Sequence, residues 1–242
     1  MKKLIGIIVL FLAFSAAAQK KSEKATEPKP KKDYSKLNLS KRTSDHLLLQ
    51  LGLAKWGNAD EMNIRGYSKT FNAYFLFDFP FKSNPKFSTA LGTGIGTDNI
   101  FFKKTNVNII GGNGVTITPD NNIQYSKSKL SSSYLEIPFE LRYSTKPENM
   151  NKGWKFAVGA KVGLLIDSKV KTKLDAVSGD VGGYMLKIKD KRYFNSTRFV
   201  GTARVGMGNF SLFGTYTLTS MFKEGLGPLV RPYSIGITLS GL

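Results

Sequence analysis

The chain has 242 residues, with 36 Lys and Arg against 17 Asp and Glu, a formal net charge of +19, and no cysteine. That length fits one ordinary domain plus a tail, and the missing cysteine excludes disulfide frameworks and thiolate metal sites. A single histidine, His46, rules out a multi-histidine metal centre or a pair of histidine catalysts. Aromatic residues at 12% and 24 glycines are too rich for a disordered chain and unusual for a helical one.

The N-terminus reads as an address. Lys2 and Lys3 precede an apolar run from Leu4 to Phe14 and then Ser15-Ala16-Ala17-Ala18, the order of a secretory signal peptide over residues 1–18. The alternative, an uncleaved anchor, needs about 20 apolar residues, more than this run offers. Losing Lys2 and Lys3 with the leader leaves 34 basic against 17 acidic residues, still +17. For an exported protein that charge points to phospholipid and lipopolysaccharide phosphates rather than nucleic acid. Residues 19–43 carry nine Lys/Arg, three Asp/Glu and two prolines with few apolar side chains, so a disordered, Lys-rich periplasmic segment is expected. It serves either as a solvated spacer or as a contact for an anionic surface.

From residue 44 to the end the apolar period is two. Eight segments carry it, around Leu47–Leu53, Phe71–Phe79, Phe87–Ile95, Leu135–Tyr143, Phe156–Ile166, Phe199–Met207, Phe210–Leu218 and Tyr233–Leu239. Each is close to the ~9–11 residues of a tilted membrane strand. The opposite faces hold Ser88, Ala90, Gly92, Gly94 and Gly96 on one segment and charged residues on others, while Phe71, Phe75, Phe77 and Phe79 crowd the apolar face. Small and charged residues inside with aromatics outside is the polarity of an outer-membrane barrel. Short links (Pro80–Lys86, Ser144–Gly153, Gly208–Asn209) alternate with long ones (Ala54–Ser68, Thr97–Ser131, Ser168–Thr197, Thr219–Pro232). Turns on the periplasmic side and loops outside follow from that layout. The expected fold is all-β, an eight-stranded antiparallel up-and-down transmembrane β-barrel located in the outer membrane of a Gram-negative bacterium.

The stretches SSSYLEIPFELRYSTK (Ser131–Lys146) and KFAVGAKVGLLID (Lys155–Asp167), the last strand RPYSIGITLSGL and the FSAAAQ leader end resemble the PorT-like outer-membrane β-barrel family of Bacteroidota. The resemblance runs from about Ser44 to Leu242 and is most specific in EIPFELRY, a strand with a proline inside it. It implies an eight-stranded barrel in a family of mostly unassigned function, in which PorT itself is linked to a secretion system.

An eight-stranded barrel is just wide enough for side chains to fill. The expected lumen network is Asp78, Glu136, Glu140 and Asp167 against Arg142, Lys155, Lys161, Arg198 and Arg204, closed by mutual pairing. A narrow ion path is the alternative. Glu136 and Glu140, four apart on a strand, stand about 13 Å apart, too far for a glycosidase pair. His46 lacks a Gly-x-Ser-x-Gly elbow to serve, and Gly92-Thr-Gly94-Ile-Gly96 lacks the helix of a phosphate loop. No catalytic, cofactor or metal residues are therefore assigned, and a lipid-modifying enzyme is the least favoured reading. The loop cations Lys103, Lys104, Lys169, Lys171, Lys187, Lys189, Lys191 and Arg192 are candidate contacts to lipopolysaccharide phosphate or an envelope protein partner. The alternative is simple solubility of exposed hairpins. Alternation in VKTKL (Val170–Leu174) and YMLKIK (Tyr184–Lys189) predicts strands that project beyond the membrane as a ribbon.

Overall fold

The computed structural model describes residues 46–57, 62–119, 125–149, 152–174 and 185–241. The expected leader and Lys-rich segment, over residues 1–43, lie outside these. Eight long strands form the wall: β1 (Leu47–Gly57), β2 (Lys69–Pro80), β3 (Phe87–Phe102), β6 (Tyr125–Ser144), β7 (Trp154–Leu174), β9 (Thr197–Met207), β10 (Phe210–Thr217) and β11 (Arg231–Ser240). Three short strands, β4 (Thr105–Asn108), β5 (Thr116–Pro119) and β8 (Met185–Lys189), lie in the long connections. All pairings are antiparallel between neighbours, and β1 pairs with β11 (Leu51↔Ile237), so the wall closes with no free edge among the eight. Closure satisfies the strand N–H and C=O groups within the wall, the condition for a sheet in hydrocarbon.

Outward positions are apolar through the middle of each strand: Phe71, Phe75, Phe77 and Phe79 on β2, Leu135, Ile137, Phe139 and Leu141 on β6, Val158, Val162 and Leu164 on β7. From Phe156 to Ile166 is ten steps, about 33 Å along a strand and about 25 Å once tilted, the height of an outer-membrane apolar band. Ring pairs mark the short-turn rim: Phe87 lies 5.0 Å from Tyr143, and Trp154 stacks 6.4 Å from Phe156.

β2 and β3 pair closely at Gly92. A Cβ on Gly92 would stand 1.9 Å from the Phe75 carbonyl oxygen, so only glycine admits this approach. Pro138 lies inward on β6, and the β3–β6 register passes from Leu91↔Phe139 to Gly94↔Glu136 across it. Proline has no N–H to donate, which accounts for the gap.

The strands run farther than the apolar alternation shows. Much of the expected loop Thr97–Ser131 is the outer half of β3, the β4–β5 hairpin and the first part of β6. Past Ile95 the polarity inverts: outward positions become Thr97 and Asn99, while the inward Ile100 and Phe102 are buried. Leu130 on β6, Val170 on β7 and Trp56 on β1 do the same, and they pack with Val107, Ile109, Phe194, Met221, Phe222 and Val230 into one apolar core. The barrel is thus inside-out where hydrocarbon surrounds it and ordinary beyond the hydrocarbon. Trp56 meets Phe102 and Phe222 edge-on at 5.6 and 6.0 Å, Tyr193 donates to the Gly111 carbonyl, and Asn195 Nδ2 donates to the carbonyls of Ser220 and Phe222. Among the described residues the long-loop end is therefore filled by an apolar plug.

One irregularity changes a face assignment. The β6–β7 register steps from Ser133↔Asp167 to Tyr134↔Leu165, leaving Ile166 as a bulge residue. A bulge reverses the alternation beyond it. Val170 therefore points inward despite sharing its parity with outward Leu164.

Candidate functional site

Two ion clusters fill the lumen. In the upper one, Arg198 reaches Glu136 Oε1 through Nε at 2.9 Å and Nη2 at 2.7 Å, and Asp98 Oδ2 through Nη1 at 2.6 Å. Its guanidinium carbon lies 3.7 Å from the centre of the Tyr134 ring. Lys161 Nζ donates to the Tyr74 hydroxyl oxygen at 2.8 Å and stands 3.5 Å from Glu136 Oε2, which also accepts from the Tyr74 hydroxyl. In the lower cluster Glu140 Oε2 accepts from Arg142 Nε at 2.8 Å and Arg204 Nη2 at 3.0 Å. Asp78 Oδ1 accepts from Ser88 Oγ at 2.7 Å and lies 3.5 Å from Arg142 Nη1. Lys155 is buried two residues nearer the short turns. Tyr74 also packs with Leu48, Leu76 and Ala90 as an apolar patch inside the barrel.

Eight of the nine expected lumen residues therefore face inward, and one does not. Asp167 follows the Ile166 bulge, turns outward and pairs with Lys169 at 3.2 Å and Lys189 at 3.0 Å. Its place is taken by Asp98, which the reading of β3 stopped short of. The signal was present, since Asp98 continues the inward series Ser88, Ala90, Gly92, Gly94, Gly96. Glu136 and Glu140 belong to separate clusters, each held by cations. A polar cavity of about 10 Å³ remains beside Thr70, Asn72, Asp98, Lys161 and Arg198, room for about one water. His46 Nδ1 is 2.9 Å from the Leu76 carbonyl oxygen and its ring stacks 5.8 Å from Phe75, a girdle position.

The loop cations divide into three places. Lys103 and Lys104 sit exposed at the turn after β3. Lys191 and Arg192 sit in the turn after β8, where Arg192 Nη2 pairs with Asp190 at 2.8 Å and holds that carboxyl below the ordinary carboxylate range. Lys169, Lys171, Lys187 and Lys189 share the outward face of the β6–β7–β8 ribbon, the projecting sheet that the alternation predicts. A fifth lysine joins them: Lys129 pairs across the sheet with Lys171, which pairs with Lys187. Partial burial lowers the Lys129 pKa below the usual lysine value, and the charges of Lys171 and Lys169 lower it further. Sequence reading passed over Lys129 because it stood in a segment read as loop.

The closed wall, lipid-facing apolar band, aromatic rim and ion-paired lumen define an outer-membrane β-barrel. The chain belongs to the family described as outer membrane protein beta-barrel domain, which matches residues 33–225. No curated protein and no solved structure matches it.

Proposed function

We propose that this protein is a non-catalytic, non-conducting outer-membrane barrel of the PorT-like type of Bacteroidota, exported by the 1–18 leader of a Gram-negative cell. Its long-loop end faces outward and engages lipopolysaccharide or an envelope protein partner. The observation that carries the reading is the concentration of outward-facing lysines on one ribbon directly above the apolar band. The sequence resemblance in EIPFELRY and KFAVGAKVGLLID supports the family type. The apolar plug and the paired lumen favour an interaction role over a narrow pore, and His46 against Phe75 favours it over a lipid-modifying enzyme. A secretion-system accessory is the second reading, supported by the resemblance.

The test is purification from native outer membranes through detergent exchange, with assay of retained lipopolysaccharide, alongside planar-bilayer recording. Stoichiometric retention with no current is the expected result. Steady ohmic current, or complete loss of lipopolysaccharide with capture of a defined envelope protein only, would replace this reading.

A further inference from the structure

The outward face of the ribbon stacks like charges in register. Lys129, Lys171 and Lys187 stand directly opposite one another on β6, β7 and β8, and Ser131, Lys169 and Lys189 form the next row toward the membrane. Like charges opposite one another destabilise a sheet, so folding does not ask for this arrangement. The lower row carries its own counter-ion, because Asp167 bridges Lys169 and Lys189. Among the described residues no carboxylate pairs with Lys129, Lys171 or Lys187; Lys129 instead has its ammonium 5.6 Å from the centre of the Phe101 ring. The same level continues round the wall as aromatics, with Phe101 5.2 Å from Tyr67, whose ring in turn carries the Arg65 guanidinium at 5.5 Å. An aromatic and cationic row of this kind matches a membrane interface.

Height agrees. Three strand steps from Ile166 to Lys169 rise about 8 Å at the usual tilt, and five to Lys171, which pairs with Lys129, about 13 Å. The two rows therefore stand in the headgroup layer and just above it, and lysine side chains are long enough to reach back down. The side chains point sideways, toward neighbouring lipid, rather than up into solvent. From this geometry we infer that the Lys129–Lys171–Lys187 row, with Lys169 and Lys189 below it, is a binding site for the phosphate monoesters of an outer-leaflet glycolipid. The inference rests on the proposed lipopolysaccharide contact and assigns it to these five residues; Lys103, Lys104, Lys191 and Arg192 lie outside the site.

The experiment compares full-length protein with the Lys129→Gln/Lys171→Gln/Lys187→Gln and Lys103→Gln/Lys104→Gln variants. Each is titrated in mixed micelles with diphosphoryl lipid A and with the same lipid after phosphate removal, with inorganic phosphate as competitor. We expect the ribbon variant to bind diphosphoryl lipid A at least about tenfold more weakly, given charge-assisted bonds lost. The turn variant should bind as wild type does, and dephosphorylated lipid should bind wild type as poorly as the ribbon variant binds the intact lipid. The ribbon variant should also melt no lower than wild type, because repulsion is removed; a purely structural role would lower it. If wild type binds and the ribbon variant binds equally, the site is wrong while the lipopolysaccharide reading survives. If wild type binds no lipid A, both fall. If inorganic phosphate displaces the lipid fully at equal phosphate concentration, the source is a soluble phosphate and the glycolipid assignment is overturned.

Discussion

Arg198 is the side chain on which the upper lumen cluster depends, and Arg198→Met tests how. The guanidinium holds Glu136 and Asp98 together and lies on the Tyr134 ring, with all four side chains buried. Glu136 keeps Lys161 and Tyr74 after the substitution, whereas Asp98 loses the cation that pairs with it among the described residues. Stranding one partner of a buried pair costs about 3–5 kcal/mol, because the remaining charge stays desolvated. The barrel variant should therefore unfold about that much more easily. Asp98→Asn/Arg198→Met removes the stranded charge and leaves Glu136 with Lys161, so about 2 kcal/mol should be recovered. Denaturant titration of vesicle-inserted protein, followed by emission of Trp56 and Trp154, measures both values. A single variant within about 1 kcal/mol of wild type would refute the reasoning, as would a double variant no more stable than the single.

Two further outcomes follow from the wall and the ribbon. Gly92→Ala places a Cβ 1.9 Å from the Phe75 carbonyl oxygen, which forces β2 and β3 apart; a loss of about 3 kcal/mol or more is expected, read as loss of the compact, heat-modifiable gel band. Lys129 has its pKa lowered by burial and by Lys171 and Lys169. The unfolded chain therefore binds that proton more tightly, and stability rises with pH between the depressed value and the ordinary lysine value. Thermal melts across that range should show a gain in wild type that shrinks in Lys129→Gln; identical pH profiles would contradict it.

Alternation in eight segments, Phe71–Phe79 and Leu135–Tyr143 among them, was enough to count the wall strands and to say which face meets lipid, because period two assigns every side chain to one of two faces and the composition of each face names its solvent. The same rule placed Glu136, Glu140, Arg142, Lys155, Lys161, Arg198 and Arg204 inside. It failed at two points for one reason. Parity is local: it tells faces apart only while the strand neither bulges nor changes surroundings. Ile166 bulges, so Asp167 leaves the lumen for Lys169 and Lys189. Beyond Ile95 the surroundings of the wall change from hydrocarbon to polar headgroups and water, so the apolar residues there, such as Ile100 and Phe102, lie on the inward face and the strand no longer looks like one to a pattern tuned for lipid.

Which residues meet across strands was not in the pattern at all. Asp98 and Arg198 are a hundred positions apart in the chain, as is clear from their numbers, and Lys129, Lys171 and Lys187 come from three different strands. Register and closure bring them together, and those are settled by the summed pairing of the whole wall rather than by any segment. The amino-acid order thus carries the barrel, its membrane face and the inventory of charges; the folded wall alone decides their partners, and with them whether a lysine stands beside a carboxylate, as Lys169 and Lys189 do, or beside other lysines, as Lys129 and Lys171 do.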